Sequence, residues 1–594
     1  MKKSSRYRFF LGLKLGCVFL LCSSNFLRAQ YQYDVYFPTN AQKNFRIEAK
    51  SEQGSQQFSF LFSSPQQKND FSAQKLHASN AAGKKITPFR QQDQVFFKET
   101  AHVISYEISP KDLEKSHWLS YDNLLLAPLY SFIGSWQNAE DADLKIYIHH
   151  PPEIFNPLGG VQKIDAQTDL LQVEKYTDLP AQMLLYAPFD TTSFTLKNTR
   201  QQFLIATLGN AQNPTAVRLQ RILEPVIKAV TDNLRSISIH QKGISCLFLP
   251  PEIFSSLQTQ GGLALAHSSL LVLPDNLSSV HEKYWLQQLA CHELMHSLLP
   301  YALRSDKITQ LHSISQTEMS QHLWLYEGVT EYLSLWILAE EKIISQETFF
   351  NMLASKIAQS ENLPVSLAQL SREIYQPNRR KYYPRFYDNA CVVAFALDIM
   401  VRKYFSDKNL CTLLLEIAEK YAPAQIFPEN DFYHLFGEAT NSEIEQFLVR
   451  YVAQNTALPV NRFLADAAWQ YQFPQQATQV LTYGEFSLRE NANAQQILVE
   501  NVAKNAFGLQ ENDVIVGINF EAINVENYAN LLDLLLHPTP AKNTCSLQIQ
   551  RKGEKMSLKG IALLYTEAAK PSILAIRPTN DAQRSLQAHF FEQN

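Results

Sequence analysis

Two imidazoles and a carboxylate stand in register in the stretch Cys291-His292-Glu293-Leu294-Met295-His296, a His-Glu-x-x-His spacing. On an α-helix, positions i and i+4 share a face, so His292 and His296 can grip one divalent metal while Glu293, one step round, addresses a water beside it. That is the donor set of zinc-assisted hydrolysis, in which the metal makes a water acidic and a carboxylate takes its proton. Downstream, Trp324-Leu325-Tyr326-Glu327-Gly328-Val329-Thr330-Glu331-Tyr332 offers a third ligand, Glu327, 31 positions after His296. His322, five residues earlier, competes for that role. Two histidines and one glutamate would leave the open position that a catalytic zinc requires. Glu331 falls one helical turn after Glu327, where it can accept a hydrogen bond from a ligand imidazole and fix its tautomer.

The elements that must position these groups are legible around them. Ser279-Val280-His281-Glu282 has the form of a capping box, Pro300 closes the segment, and Trp285, Leu286, Leu289, Ala290, Leu294, Leu298 and Leu299 bury most of the cylinder between. A buried helix with two histidines and a glutamate has costly polar groups to satisfy, and a metal satisfies them. Just upstream, Gly261-Gly262-Leu263-Ala264-Leu265-Ala266-His267-Ser268-Ser269 precedes the apolar run Leu270 to Leu273. Gly262, Leu263 and Ala264 form either an edge on which an extended peptide could pair as an added strand, or one arm of a plain hairpin.

From Tyr31 to about Leu170 the pattern is of short alternating strands, including Phe45–Ala49, Phe58–Phe62, Gln94–Lys98 and Val103–Ile108, which predicts an antiparallel β domain. His149-His150-Pro151-Pro152 reads as a loop rather than a metal site. Strand-like runs continue to Ala206, a helix follows from Thr215, and residues 333 to about 455 are mainly helical. Near 460–480 the composition turns to Pro, Gln and Ala, a linker. A small β-rich module follows, with Ile497-Leu498-Val499, Val514–Ile518, a helical stretch near Tyr528 to Leu536, and a strand at Ser546 to Arg551.

Over 594 residues, 45% hydrophobic and 19% charged describe an ordinary globular chain of several domains. A net charge of -4 and no long basic run beyond the extreme N-terminus argue against a nucleic-acid partner. Residues 1–29 read as a secretory signal: Lys2, Lys3, Arg6 and Arg8 precede a short apolar run, Phe9 to Cys22, with a cut after Ala29. No membrane span is expected after cleavage, and the mature chain is expected in the periplasm, the cell envelope or outside the cell. Cys246, Cys291, Cys391, Cys411 and Cys545 then remain, widely spaced and odd in number, so neither a disulfide scaffold nor a cysteine-zinc site is indicated.

The combination resembles the gluzincin metallopeptidases, most closely their glycyl aminopeptidase family. The resemblance is carried by His292-Glu293-Leu294-Met295-His296, by Trp324-Leu325-Tyr326-Glu327-Gly328-Val329-Thr330, and by Phe386-Tyr387 set eleven residues before Asp398. It implies a multidomain α+β chain: an N-terminal antiparallel β domain at 30–170, a thermolysin-like, mainly helical catalytic domain at 171–460, and a PDZ-like β module at 475–565 followed by a tail at 566–594. By that resemblance His292, His296 and Glu327 hold one zinc ion, Glu293 is the general base, Tyr387 hydrogen-bonds the oxyanion, and Glu331 supports a ligand histidine from behind. The family's Gly-Gly-Leu-Glu-His strand is here Gly261-Gly262-Leu263-Ala264-Leu265-Ala266-His267, with no acid to hold a free α-amine. Asn389 and Ala390 replace the Lys-Gly that normally follows the tyrosine. The expected function is a zinc metallopeptidase acting on peptides or proteins, with a possible C-terminal peptide as partner of the PDZ-like module. The alternative is a peptide-binding or chaperone-like envelope protein whose metal is structural.

Overall fold

The computed structural model describes residues 31–591 with interruptions, the longest at 61–72, 112–118, 309–318, 491–496 and 524–533. The signal expected at 1–29, the side chains of the expected capping box and most of the helix expected over Tyr528–Leu536 lie outside the described residues. The chain is a multidomain α+β protein: a large N-terminal β region, a helical domain built on a five-stranded sheet, and a C-terminal β module. Among the described residues no helix is long and apolar enough to cross a membrane.

The N-terminal sheet is antiparallel with one exception: Tyr31–Tyr36 lies parallel to Leu144–His149. A long excursion joins these two strands, so no tight hairpin forces them to oppose each other. Two pairs of short strands read from the sequence are also fused, into Phe45–Ser59 and Gln94–Ile108. The ladder between them slips at Lys50–Ser55, where Gly54 has φ +68° and a Cβ would lie 2.8 Å from the Ala101 carbonyl oxygen. A glycine that looks like a strand break is therefore a bulge inside a bent strand. His149 ends a strand, with Nε2 3.0 Å from Asp34 Oδ1, and His150 Nε2 approaches Asp169 Oδ2 at 3.4 Å. The two adjacent rings serve separate carboxylates.

The helical domain opens with a sheet in the spatial order β1 (Asp190–Thr195), β2 (Gln202–Leu208), β3 (Gly243–Leu249), β5 (Ser269–Pro274), β4 (Gly261–Ala264). Its β2, β3 and β5 are mutually parallel, while β4 folds back antiparallel on β5 as the outermost strand. Side chains alternate along β3: Ile244, Cys246 and Phe248 face the helices, whereas Leu247 and Leu249 face a second core shared with Leu126 and Leu158 of the N-terminal region. This sheet is thus the wall between the two regions. On its helical side lie α1 (Ala216–Asn233), α2 (Ser279–Met295), α3 (Thr330–Glu340), α4 (Gln346–Gln359) and α5 (Tyr383–Tyr404). α3 is buried from Thr330 to Ala339, which makes it the central rod of the domain.

The C-terminal module is a sheet in the order Ser487–Glu490, Ile497–Glu500, Val514–Ile518, Thr544–Arg551, Glu554–Ile561 around Ile497, Val499, Ile515, Leu547 and Ile549. The segment expected as a tail behaves differently. Ser572–Ala575 pairs antiparallel with Trp469–Gln472, and after α6 (Asp581–Ala588) Phe590 is fully buried against Trp469, Trp336 and Phe395. The apolar Phe590-Phe591 pair draws the chain end back into the helical core. The described cysteines are all free and buried, in accord with their apolar contexts.

Candidate metal centre and active site

His292, Glu293 and His296 are 8%, 4% and 8% exposed, so each of their polar atoms needs a partner. The regular helix α2 stops at Met295, and Pro300 shapes the turn beyond it. Having no N–H, Pro300 cannot bond the His296 carbonyl, which accepts from Tyr301 at 3.2 Å instead, and Leu303 bonds Leu298 likewise at 3.0 Å. In this wide turn the Leu299 carbonyl faces back and accepts from His296 Nδ1 at 2.7 Å. Glu331 Oε2 lies 3.0 Å from His292 Nδ1. These oxygens hold both Nδ1 atoms and turn both Nε2 atoms inward, the nitrogens by which the rings can ligate a metal.

Those nitrogens meet a carboxylate. The ligating atoms of His292, His296 and Glu327 all lie within 4.8 Å of one another, with Glu327 Oε2 at 3.3 Å and 3.9 Å from the two Nε2 atoms. A carboxylate facing two buried imidazole nitrogens draws positive charge between them, and two imidazole nitrogens with one carboxylate are a zinc donor set. The residues present therefore fit the metal that the sequence implies. His322 is elsewhere, fully buried among Phe427, Phe432 and Tyr433, with Nε2 donating to the Glu429 carbonyl at 2.7 Å. Glu327, not His322, joins the two histidines.

Glu327 sits in a wide turn, Trp324–Val329, that leads into α3. A Cβ on Gly328 would lie 2.1 Å from Ala390 Cβ, so this glycine lets the turn touch α5 directly. Tyr387 of α5 then donates its hydroxyl to Glu327 Oε2 at 2.8 Å. Its oxygen lies 3.0 Å from the hydroxyl of Tyr383, which donates to it in turn. Glu293 faces the other way, toward β4. The Ala264 N–H bonds its carboxylate, and a Cβ on Gly262 would lie 2.0 Å from Oε1. Burial, reinforced by the nearby Glu327 charge, pushes the Glu293 carboxyl up to about 8. Gly262, Leu263 and Ala264 pair on one side with Leu271, Leu270 and Ser269, and among the described residues no strand pairs with the opposite edge. The hairpin and the open edge foreseen as alternatives are one structure.

Three contacts of the centre escaped the sequence. Gln288 and Tyr383 each stand four positions before a recognised residue, His292 and Tyr387, so helical spacing could have flagged them. Lys356, on α4, has no such signal, yet its Nζ lies 2.8 Å from Glu331 Oε1. Burial would raise the Glu331 carboxyl; the Lys356 charge and the His292 bond hold it far below the usual range instead.

Fold and centre together define a metallopeptidase. Residues 285–391, which hold both histidines, Glu293, Glu327, Glu331 and Tyr387, match the model of the M61 glycyl aminopeptidase family. Among solved structures, an aminopeptidase N family protein from Idiomarina loihiensis shares the fold with a TM-score of 0.66 at 15% identity, over 93% of this chain and 99% of that one. The M1 zinc metallopeptidase from Deinococcus radiodurans (TM-score 0.45, 14% identity, 73% of this chain and 95% of that one) and leukotriene A4 hydrolase from Saccharomyces cerevisiae (0.43, 12%, 75% and 71%) are more remote. No curated protein matches the chain in sequence.

Proposed function

We propose that this chain is a zinc metallopeptidase that hydrolyses peptide bonds with Glu293 as general base and one zinc ion held by His292, His296 and Glu327. The observation that carries it is the convergence of two Nε2 atoms and Glu327 beside a buried Glu293 that also touches the open strand β4. Zinc, when bound, supplies Lewis acidity that makes a water acidic near neutral pH and polarises a carbonyl.

The chain's own groups do the rest. An extended substrate pairs its backbone with the free edge of Gly262-Leu263-Ala264, which aligns a peptide bond over the centre. Glu293, in its ionised form, takes the proton of the attacking water and returns it to the leaving amine. Tyr387, whose hydroxyl already points at the metal-facing oxygen of Glu327, donates to the carbonyl oxygen as negative charge develops there. Glu331 keeps the His292 ring in the tautomer that leaves Nε2 free.

β4 carries no acid to hold a free α-amine, so the reading stops at peptide-bond hydrolysis and does not extend to an aminopeptidase. The apolar run at Phe9 to Cys22 supports export to the envelope or beyond. The C-terminal module, a small antiparallel sheet, is read as PDZ-like, with a peptide C-terminus as its partner.

Metal analysis and a peptide-library digest of wild type and Glu293→Gln test the assignment. Stoichiometric zinc in both, with cleavage down by about 10²- to 10⁴-fold in the variant, is expected. Stoichiometric zinc with no wild-type cleavage sinks the peptidase and leaves the peptide-binding alternative. Undiminished cleavage of N-acetylated peptides excludes an obligate aminopeptidase.

A further inference from the structure

Behind the metal centre a line of contacts leads out of the cleft and returns to it. Glu331 turns Oε2 to the His292 ring, while its Oε1 accepts from Lys356 Nζ at 2.8 Å and from Gln288 Nε2 at 2.9 Å. The Lys356 side chain is 16% exposed, and its ammonium also reaches Asp388 Oδ1 at 3.3 Å. Asp388 directly follows Tyr387 on α5. One largely buried ammonium thus joins the carboxylate behind a metal-facing histidine to the helical turn that carries the oxyanion donor.

Fold stability is a poor reason for a lysine here. Removing an ammonium from water costs several kcal/mol, and an apolar side chain of similar volume often serves as well or better. What an apolar side chain cannot do is direct a carboxylate. The terminal torsion of a glutamate is broad and two-fold, so an unrestrained Glu331 has no single orientation. Donors on Oε1 fix the plane of the carboxylate, which fixes the line from Oε2 to His292 Nδ1 and hence the direction of the Nε2 lone pair.

We infer that Lys356 is a positioning residue that clamps Glu331 and Asp388 together, setting the His292 ring for the metal and Tyr387 relative to the same centre. The inference rests on the zinc metallopeptidase reading. Glu331 stands one step behind the ligand, where loss of a group typically changes affinity 10- to 100-fold, and Lys356 acts one step further back, through Glu331.

The experiment uses the full chain, with zinc affinity read by competition against a chromophoric chelator, thermal melting recorded alongside, and kcat and KM measured on a cleaved peptide. Lys356→Met is expected to raise the zinc Kd by up to about 10-fold, the lower end of that range because Gln288 still donates to Glu331, with Lys356→Arg recovering most of it. In a Glu331→Gln background the same change should add less than about twofold, because the path to the metal is already cut. Asp388→Asn is expected to lower kcat about tenfold at unchanged zinc Kd and KM, the signature of a misplaced donor to the transition state. A merely structural lysine would lower Tm and leave the Kd of the folded protein in place. A folded Lys356→Met with wild-type zinc Kd overturns the clamp, and should that variant not fold, Lys356→Gln carries the same test. Unchanged kcat in Asp388→Asn overturns the Tyr387 half. A wild type without stoichiometric zinc overturns this inference together with the peptidase reading, whereas zinc-loaded wild type beside unaffected variants overturns this inference alone.

Discussion

The helical domain holds two buried groupings of histidine and glutamate, and burial does not tell them apart. Around His322, the Nε2 proton goes to the Glu429 carbonyl, the Glu429 carboxylate accepts from Ser320 Oγ at 2.8 Å and the Gln321 N–H at 2.7 Å, and Ser320 Oγ accepts from the His322 N–H at 3.1 Å. His322 Nδ1 is left without a partner, but it is a single lone pair in a box of aromatic rings. Around His292 and His296 the Nδ1 atoms face outward, to Glu331 and Leu299, and the two Nε2 atoms converge with Glu327 on one point. A site for a cation is recognised by the convergence of several ligand atoms on one point, not by residue type or exposure. The first grouping is spread over several separate bonds; the second gathers three ligand atoms in one place.

The sharpest way to break this contrast is to remove one member from each. His296→Ala should take zinc stoichiometry from one to near zero and abolish hydrolysis, since two remaining donors do not hold a catalytic zinc. Metal content by atomic emission checks it, and a zinc-replete, active variant would mean that another donor set holds the ion. Tyr387→Phe removes a donor to the oxyanion without touching the ligands. It should cost about 10²- to 10³-fold in kcat at unchanged zinc content, and a loss confined to KM would assign the hydroxyl to substrate binding. His322→Ala should do the reverse of both: a loss of roughly 2–4 kcal/mol in stability from a cavity and a broken network, read as a lower Tm, with zinc content and turnover per folded molecule intact.

The smallest effect sharpens the contrast in the N-terminal region. There burial opposes charge on His150, but the Asp169 carboxylate and the Pro151 carbonyl outweigh it and hold the imidazole above its usual 6.5. Burial likewise opposes charge on Asp169, which His150 and Tyr186 hold below its usual 3.8. A raised histidine stabilises the fold fully below 6.5 and loses that contribution as pH rises through its folded value; a lowered aspartate stabilises above 3.8 and loses it as pH falls. The pair should therefore contribute on the order of 1 kcal/mol on a plateau between those limits, declining on both sides. The difference in Tm between wild type and His150→Gln across pH measures it, and a pH-independent difference would show that the pair does not titrate as a unit.

Legibility in the sequence tracks the range of the physics. The His292–His296 spacing and Glu331, one turn beyond Glu327, are local periodicities, and the structure brings these residues together as read. Tyr387 carried no local signal and entered only through resemblance. Lys356 carried none at all, because α4 meets α3 through the tertiary fold and no spacing in the chain encodes that approach. Glycine was ambiguous in both directions. Gly54 lay between two expected strands and is a bulge, while Gly262 read as part of an edge or a hairpin arm and is also clearance for the Glu293 carboxylate. The long run from Trp469 to Phe590 misled most, since its last stretch looks polar and its anchors, Ile573 and Phe590, are scattered.

That return of the chain changes how the C-terminal module can be handled. Gln472 and Ser572 are direct partners across the ladder Trp469–Gln472/Ser572–Ala575, so the two ends of the module leave the helical domain side by side. Cutting the chain near Gln470 would strip Ile573 and Phe590 from the helical core along with the module. Excising the module and joining its ends through a two-residue hairpin turn preserves both anchors. The module is a cassette in a hairpin, and the same junction can accept a different one.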